Sequence, residues 1–330
     1  MSLKDRILYV MKAAIKPSLL LALVIITGSV AAQGKKVEKL KVTILSTMLA
    51  DQGIGEWGFS ALIEVDGRKM LFDTGARPET VLQNAKELGI DLSVVEEVFM
   101  SHGHSDHTGG LMTLRNKFSV TNPKALSIVH IGEGAFYPRP ESSTYAQSLN
   151  DLKSSFEKSG GKFIIYKSAK QIYPGMWITG PVPRPNDEKN WSGSGKVELP
   201  NGQVVADNVP EDQSLVFDTN DGLMIVSGCG HAGVVNTIEY ARQLVNRPAP
   251  VTTLIGGFHL FDLSDEMLEW TAEKLKTYGL QTLVGAHCTG IDAVFYIRWR
   301  LELEKYYSVV GAVGTIYELG KGITPGRLSK

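Results

Sequence analysis

The sequence predicts a mixed α/β fold in which two sheets pack face to face with helices outside. One observation supports this prediction, and a second locates the candidate site within the fold. Strand-rich segments are followed by segments with helical spacing, and this order occurs twice along the chain. Six of the seven histidines come where an apolar strand gives way to a loop, which is where a rigid scaffold presents chemistry. Periodicity alone indicates only mixed α and β structure.

Length and composition limit the possible classes of protein. The chain has 330 residues, 43% hydrophobic and 21% charged, which suits one large or two modest domains with a sizeable core. We expect a single domain over residues 33–330. A formal net charge of −1 gives no indication of a nucleic-acid-binding face. Two cysteines, Cys229 and Cys288, are too few for a disulfide scaffold, although one bridge between them is possible.

Residues 1–32 have the pattern of a signal peptide. A basic lead precedes an apolar run from Leu19 to Ile26, and small side chains at Val30 and Ala32 fit cleavage just before residue 33. The run is too short to span a membrane comfortably. We expect a periplasmic or secreted protein without stable membrane insertion after cleavage. The alternative is an uncleaved N-terminal anchor.

In the first half of the chain, strands precede a helix and a further strand. The Asp66-Gly67 pair predicts a hairpin turn between two of the strands. A helix is expected over 78–88, with Gly89 as its C-cap. The expected strands lie at 40–45, 59–65, 68–73 and 94–100.

The second half repeats this order loosely. Its helices are expected from about Ala232, from Ser264 to Tyr278, and over 291–306, and Ser264 is a favourable N-cap. Residues 181–212 are rich in Pro, Asn, Gly and Asp, which predicts an inserted loop. The expected strands lie at 162–166, 175–179, 214–218, 222–227, 252–255 and 281–284.

Residues 101–110 carry the most specific chemistry. They hold three imidazoles and a carboxylate, from His102, His104, Asp106 and His107. The alternation of the first two histidines places both rings on one side of an extended segment, as a pair of metal ligands needs. The competing interpretation is a surface loop that binds nothing. The segment resembles the HxHxDH signature of the metallo-β-lactamase superfamily, and the resemblance implies an αββα sandwich.

Further motifs extend this resemblance from about residue 42 to about residue 290. Together they are similar to the group related to the archaeal dihydropterin ribofuranosyl-aminobenzene phosphate synthase, and this resemblance implies a metal-dependent hydrolase. In chain order the motifs are Phe72-Asp73-Thr74-Gly75, Ser227-Gly228-Cys229-Gly230-His231, Gly256-Gly257-Phe258-His259-Leu260 and His287-Cys288-Thr289-Gly290.

The resemblance implies a centre of two divalent metal ions, for which about six protein ligands are needed. A hydroxide held between the ions, with its pKa lowered by both, would be the nucleophile. Nitrogen and oxygen ligands permit zinc, manganese or iron, and we expect zinc. We assign His102, His104 and His231 to the first ion and Asp106, His107 and His287 to the second, with Asp106 also counted as catalytic.

Other residues near these motifs have more than one interpretation. His259 is expected beside the substrate, as an oxyanion or phosphate donor or a proton carrier, and otherwise as a ligand in place of His287. Asp73 either accepts a hydrogen bond from a ligand imidazole or stabilises a turn. His130 is expected in the pocket wall or the core. Glu56, with Trp57 beside it, lines the cleft or forms a turn.

Two departures from the superfamily pattern affect the ligand set. Where many members have a Gly-Asp whose carboxylate bridges both metals, this chain has Gly228-Cys229. Cys229 is a ligand, a pocket thiol or a packing residue, and we favour the last two. The usual Thr-Pro-Gly-His segment is replaced by residues 178–184, so His231 substitutes as a ligand. Arg184 is a candidate for binding an anionic substrate, and the helix after His231 offers amides that suit phosphate.

The leading functional hypothesis is a metal-dependent hydrolase that acts on an ester, lactone or phosphodiester. A second is a binding or regulatory protein with this fold and weak turnover, motivated by the missing carboxylate. A third, a diiron redox protein, requires more carboxylate ligands and a flavin domain. We expect specificity to reside in the loops near 50–58, 132–145 and 181–212.

Sequencing the N-terminus of the exported protein should give Gln33 as the first residue. Removal of residues 1–32 takes away four bases and one acid, so the formal net charge changes from −1 to −4, a shift that isoelectric focusing resolves. Recovery of a chain that starts at Met1 in the membrane fraction would instead establish the uncleaved anchor.

Overall fold

Strands and helices alternate along most of the chain in the computed structural model, which describes residues 34–140, 143–188, 190 and 195–327, with the side chains of 143–148 left out. The predicted signal peptide and its cleavage site lie outside the described residues. Within those residues, no helix combines the length and apolar character needed to cross a bilayer. From Lys35 onward, the described residues form one compact unit.

The strands are short and are divided between both halves of the chain. In chain order they are β1 (Leu40–Ser46), β2 (Ser60–Val65), β3 (Arg68–Phe72), β4 (Glu97–Phe99), β5 (Ile128–Gly132), β6 (Lys162–Tyr166), β7 (Lys170–Tyr173), β8 (Met176–Ile178), β9 (Lys196–Glu198), β10 (Val204–Ala206), β11 (Ser214–Thr219), β12 (Gly222–Ser227), β13 (Val251–Gly256), β14 (Thr282–Gly285), β15 (Ser308–Val310), β16 (Ile316–Glu318) and β17 (Gly322–Thr324).

Among the described residues these strands form two large mixed sheets and one small hairpin. The first sheet has the order β17-β16-β1-β2-β3-β4-β5-β6 and the second has the order β15-β14-β13-β12-β11-β8-β7. In the first sheet the pairs from β3 to β6 are parallel. In the second the pairs from β12 to β15 are parallel. Strands β9 and β10 pair only with each other.

Helices occupy the outer side of each sheet. They are α1 (Thr80–Glu87), α2 (Ser105–Thr108), α3 (Leu111–Ser119), α4 (Ser143–Lys158), α5 (Val234–Leu244), α6 (Asp265–Thr277) and α7 (Ile291–Arg300), and a 3₁₀ turn spans His287–Thr289.

Alternation of apolar side chains along the strands creates the layers. On β12, Met224 and Val226 belong to the core between the sheets, whereas Leu223 and Ile225 belong to the core beneath α5, α6 and α7. Strands β1, β2 and β3 divide their side chains in the same way between the inner core and the core beneath α1, α3 and α4. The predicted sandwich of two mixed sheets with helices outside is therefore confirmed.

Local signals in the sequence account for several element boundaries. Asp66 and Gly67 both have positive φ, 45° and 83°, as a type I′ hairpin turn requires. The Ser264 hydroxyl accepts a hydrogen bond from Met267 N at the start of α6, as an N-cap does. Gly89, with φ 67°, follows α1 as a left-handed C-cap residue.

Other boundaries differ from the prediction. The helix predicted over 291–306 ends at Arg300, because Glu302 adopts a left-handed φ of 57° that breaks the helix. The predicted strand at 94–100 is reduced to Glu97–Phe99. Residues 181–212, predicted as a loop, contain the β9–β10 hairpin. The sequence analysis also missed β5, β7, β15, β16, β17, α3 and α4.

Candidate metal centre

The predicted site residues all lie at carboxyl ends of parallel strands. The HxHxDH segment follows β4 in the first sheet, and His231, His259 and His287 follow β12, β13 and β14 in the second. The carboxyl ends of parallel strands face the same edge of a sheet, and loops there are the usual place for a ligand site in α/β proteins. Both sheets therefore contribute side chains to one cluster.

The first predicted ligand set is brought together by the fold. Ligand atoms of His102, His104 and His231 all lie within 4.8 Å of one another. His102 Nε2 lies 2.8 Å from His104 Nδ1. The ring centroid of His231 is 4.7 Å from that of His102. We call these three residues the first set.

The second predicted set lies directly beside the first. Ligand atoms of Asp106, His107 and His287 also lie within 4.8 Å of one another, and we call these residues the second set. His287 Nε2 is 3.2 Å from Asp106 Oδ2, and the rings of His107 and His102 have centroids 4.2 Å apart. Asp106 is the most open member, because 21% of its side chain is exposed.

A buried carboxylate orients the imidazoles of both sets. His107 Nδ1 donates to Asp73 Oδ2 at 2.8 Å, which leaves Nε2 directed into the centre. Ser101 donates to the same carboxylate through its backbone N–H and its hydroxyl, both at 2.7 Å. The Ser101 hydroxyl oxygen in turn accepts from His102 Nδ1 at 2.9 Å. Asp73 thus accepts from the imidazole of a predicted ligand, which was one of its two predicted roles.

The electrostatics keep several imidazoles neutral and Asp106 ionised. Burial, reinforced by neighbouring imidazoles, holds the pKa of His102 well below its usual value, and burial lowers the pKa of His104 to about 4. Burial opposes ionisation of Asp106, but His107 and His287 outweigh it and lower the pKa of that carboxyl. Burial would likewise lower the pKa of His107, but Asp106 and Asp73 raise it to about 9. Neutral imidazole and carboxylate are the forms that bind metal, so a bound ion would displace the extra proton of His107.

Buried nitrogens without partners show that the cluster fits a metal ion. His231 Nδ1 donates to the Asn190 carbonyl at 2.8 Å, so its Nε2 carries the lone pair. That Nε2 is buried, and no described residue hydrogen-bonds to it, although ligand atoms of both partners in the first set are close by. An unpaired buried polar atom is costly, and a bound cation would satisfy it.

The segment predicted as an inserted loop supports His231 through its described residues. Arg184 donates to the backbone carbonyl of His231 at 2.8 Å. Asp212 accepts from the backbone N–H of Ala232 at 2.9 Å. Glu188 accepts from two backbone N–H groups at the start of α5, at 3.1 Å and 2.7 Å. Sequence reasoning missed these supports, because buried acids in an irregular segment leave no periodic signal.

Two predicted anion-binding features have other roles. Besides its bond to His231, the Arg184 guanidinium donates to the carbonyls of Asn208 and Val209. The predicted role of Arg184 in binding an anionic substrate is therefore not supported. The start of α5 already holds the Glu188 carboxylate, so those amides do not present an open phosphate site.

His259 lies beside the first set with both ring nitrogens unpaired among the described residues. Its ring centroid is 4.7 Å from that of His231. Its φ of 47° is left-handed, as are those of His287 at 48° and Asp73 at 53°. Such strain in residues other than glycine persists where the surroundings enforce it, and it is commonest at functional sites.

The remaining candidates divide between the rim of the centre and the interior. The Trp57 ring lies 4.9 Å from His287 and is 49% exposed, so it lines the opening. Glu56 instead accepts from Ser46 Oγ at 2.7 Å and has a structural role in the turn. His130 stacks on a phenylalanine ring and bonds to a tyrosine hydroxyl, which places it in the core.

The loop that carries His102 and His104 has its own buried support. Glu211 accepts from the backbone N–H of Gly103 at 3.3 Å. The same carboxylate accepts from Arg139 Nη2 at 3.0 Å and is completely buried. The predicted specificity loop at 132–145 therefore contributes Arg139 as part of the framework behind the HxHxDH segment.

Comparison with known proteins agrees with this arrangement. Residues 58–244 match the family model described as the metallo-β-lactamase superfamily. The crystal structure of Tm1679, a metal-dependent hydrolase of the β-lactamase superfamily, matches with a TM-score of 0.61 and 29% sequence identity, over 79% of this chain and 92% of that one.

Two proteins of Methanocaldococcus jannaschii are similar along most of the chain. The 7,8-dihydropterin-6-methyl-4-(β-D-ribofuranosyl)-aminobenzene-5′-phosphate synthase is 31% identical over 287 residues, which cover 83% of this chain and 96% of the archaeal one. The uncharacterized protein MJ0448 is 29% identical over 72% of this chain and 85% of its own length. The first is named as a synthase, so the reaction does not follow from similarity alone.

Replacement of Asp73 by Asn should weaken metal binding by His107. The amide oxygen can still accept from Ser101 N, but the NH₂ group then faces Ser101 Oγ and His107 Nδ1 and opposes the required imidazole tautomer. We expect the affinity of the second set to fall about 10- to 100-fold in competition with a chromophoric chelator. Asp66→Asn is the matched control, because Asp66 is also left-handed but lies in a distant hairpin turn. Equal affinities for both variants would contradict the role of Asp73.

The free energy of unfolding should depend on pH because of Glu188. Burial, only partly offset by its backbone donors, raises the pKa of Glu188 from 4.5 to about 7. The folded chain therefore holds this proton more tightly, and its contribution to stability is lost as the pH rises from about 4.5 to about 7. Relative to Glu188→Gln, the wild-type free energy of unfolding should fall by on the order of 2 kcal/mol across this window.

Urea denaturation at fixed metal concentration measures this difference, because pH effects common to both proteins cancel. Asp187→Asn removes the same formal charge from an exposed neighbour and serves as the control. A difference between wild type and Glu188→Gln that does not change with pH would refute the assignment.

Proposed function

This chain belongs to the metallo-β-lactamase superfamily, and on that basis we propose that it is a binuclear metal-dependent hydrolase of an ester, lactone or phosphodiester. The observation that carries the proposal is the pair of adjoining ligand sets. Each set offers three ligand atoms within 4.8 Å of one another, and the HxHxDH segment contributes to both. Three ligands per ion leave coordination positions for water and substrate.

The proposed chemistry divides between the ions and the protein. Divalent cations bound to the two sets would lower the pKa of water and neutralise negative charge on the substrate. The protein fixes the imidazoles through Asp73 and Ser101, which avoids reorganisation during the reaction. Asp106 is partly exposed at the opening and holds a negative charge beside His107 and His287.

His259 is proposed to contact the reacting group. Its ring nitrogens have no partner among the described residues, and its ring lies beside His231. A donor at this position suits the oxyanion of a carbonyl addition or a phosphoryl oxygen, and the same nitrogen can pass a proton to a leaving group. Both ligand sets have three members without His259, which supports its assignment beside the substrate, and one of its ring nitrogens lies within 4.8 Å of ligand atoms of His231 and Cys229.

The rim of the centre offers aromatic surface to a small-molecule substrate. Trp57 and Phe261 are 49% and 43% exposed, and their ring centroids are 5.6 Å apart. Phe261 also lies 5.1 Å from the ring of His259. An apolar or planar portion of the substrate would pack here while its scissile bond reaches the ligand sets. The N-terminal pattern of residues 1–32 supports a hydrolase that acts outside the cytoplasm.

Metal analysis of protein purified without added metal tests the proposal. We expect about two metal ions per chain in the wild type and the loss of about one in each of His231→Ala and His287→Ala. Each variant should also lose hydrolysis by at least about 100-fold on a panel of phosphodiesters, lactones and esters, because a bound ion activates the nucleophile.

His130→Gln is the control for this experiment, since His130 lies in the core and its replacement should leave the metal content unchanged. One ion or none in the wild type would overturn the two-metal mechanism. That result would favour a binding or regulatory protein that has kept the fold.

A further inference from the structure

Cys229 lies between the two ligand sets. It follows β12 in the loop that leads to His231, and its side chain is buried. Cys229 Sγ is 3.1 Å from His107 Nε2, the nitrogen that Asp73 leaves free by binding Nδ1. An ion bound to His107 Nε2 would therefore also lie close to Cys229 Sγ.

Cys229 Sγ lies close to both ligand sets. Cys229 Sγ lies within 4.8 Å of ligand atoms of His102 and His231 in the first set and of His107 and His287 in the second. It therefore neighbours four of the six proposed ligands, and ligand atoms of His259 and Cys288 also lie within this distance of it. A thiol that served only to fill space would be expected among apolar side chains, whereas this one faces imidazole nitrogens.

Glycine fixes the approach of the Cys229 backbone to the centre. A Cβ at Gly228 would lie 2.1 Å from Ser101 Oγ and 2.5 Å from Asp73 Oδ2. Only a residue without a side chain allows the loop to come this close to the groups that orient His102 and His107. The cysteine is thus held against the same buried network as the imidazoles.

We propose that Cys229 is a metal ligand whose thiolate joins the two metal ions, in the place where the superfamily resemblance implies a bridging carboxylate. A thiolate supplies the same single negative charge as a carboxylate, and its sulfur has lone pairs for both ions. Binding releases the thiol proton to solvent. The inference rests on the proposed metal centre, and it replaces our preference for packing that the sequence alone suggested.

A sulfur ligand changes the expected metal preference. Thiolate favours zinc, iron(II) and cobalt(II) over magnesium and calcium, which prefer oxygen ligands. The centre would therefore select softer divalent ions than a set in which an aspartate forms the bridge.

Cobalt(II) substitution gives a direct readout that does not depend on activity. The wild-type full chain loaded with cobalt(II) alone should show a thiolate-to-cobalt charge-transfer band in the near ultraviolet. Cys229→Ser should lose this band, and Cys288→Ser should keep it, because Cys288 Sγ is engaged with the backbone, accepting from His259 N and donating to the Cys229 carbonyl. Cys229→Asp should bind both ions without the band, and Cys229→Ala should bind them at least about tenfold more weakly.

The outcomes separate this inference from the proposed function. About two cobalt ions per chain with no thiolate band, or a band that persists in Cys229→Ser, would overturn the role of Cys229 and leave the two-metal centre intact. A wild type that binds no cobalt would overturn both. Far-ultraviolet circular dichroism of each variant checks that the fold is retained.

Discussion

The hydrogen bonds that Asp73 accepts are the interaction on which the centre depends. A fully buried carboxylate is costly, and here it is stabilised by two bonds from Ser101 and one from His107. Those bonds join the end of β3 to the end of β4 and set the imidazoles of the HxHxDH segment. Asp73 has a left-handed backbone at this position. Gly228 has no side chain, and a Cβ there would collide with the Asp73 carboxylate.

The parts of the site that could be predicted from the sequence are its histidines, because imidazole is a common metal ligand. His231 and His287 were predicted because each follows an apolar strand, and parallel strands bring their carboxyl ends to one edge. Glu188, Asn190 and Asp212 were not predicted. The two carboxylates accept from backbone N–H groups 20 to 48 residues away, and the Asn190 carbonyl accepts from the His231 imidazole 41 residues away. Such contacts are created by tertiary folding rather than by local pattern.

The fold was predictable to a similar extent and for a similar reason. Long alternating strands such as β12 were visible, because both of their faces are buried in different layers. Short strands such as β16 and β17, at one side of the first sheet, contain only three residues each and carry too little periodicity to be recognised. The end of α7 depends on one left-handed residue, Glu302, that no capping signal marks.

Residues from distant parts of the sequence build the centre, and this affects when it can form. The first proposed ligand is residue 102 and the last is residue 287, and each set takes members from both sheets. A partly synthesised chain that lacks β14 cannot offer either the His287 ring or its neighbours in native geometry. The complete pair of ligand sets can therefore form only after β14 has joined the second sheet. The ion that the protein carries will reflect the supply in the compartment where folding is completed, as well as the preferences of its ligands.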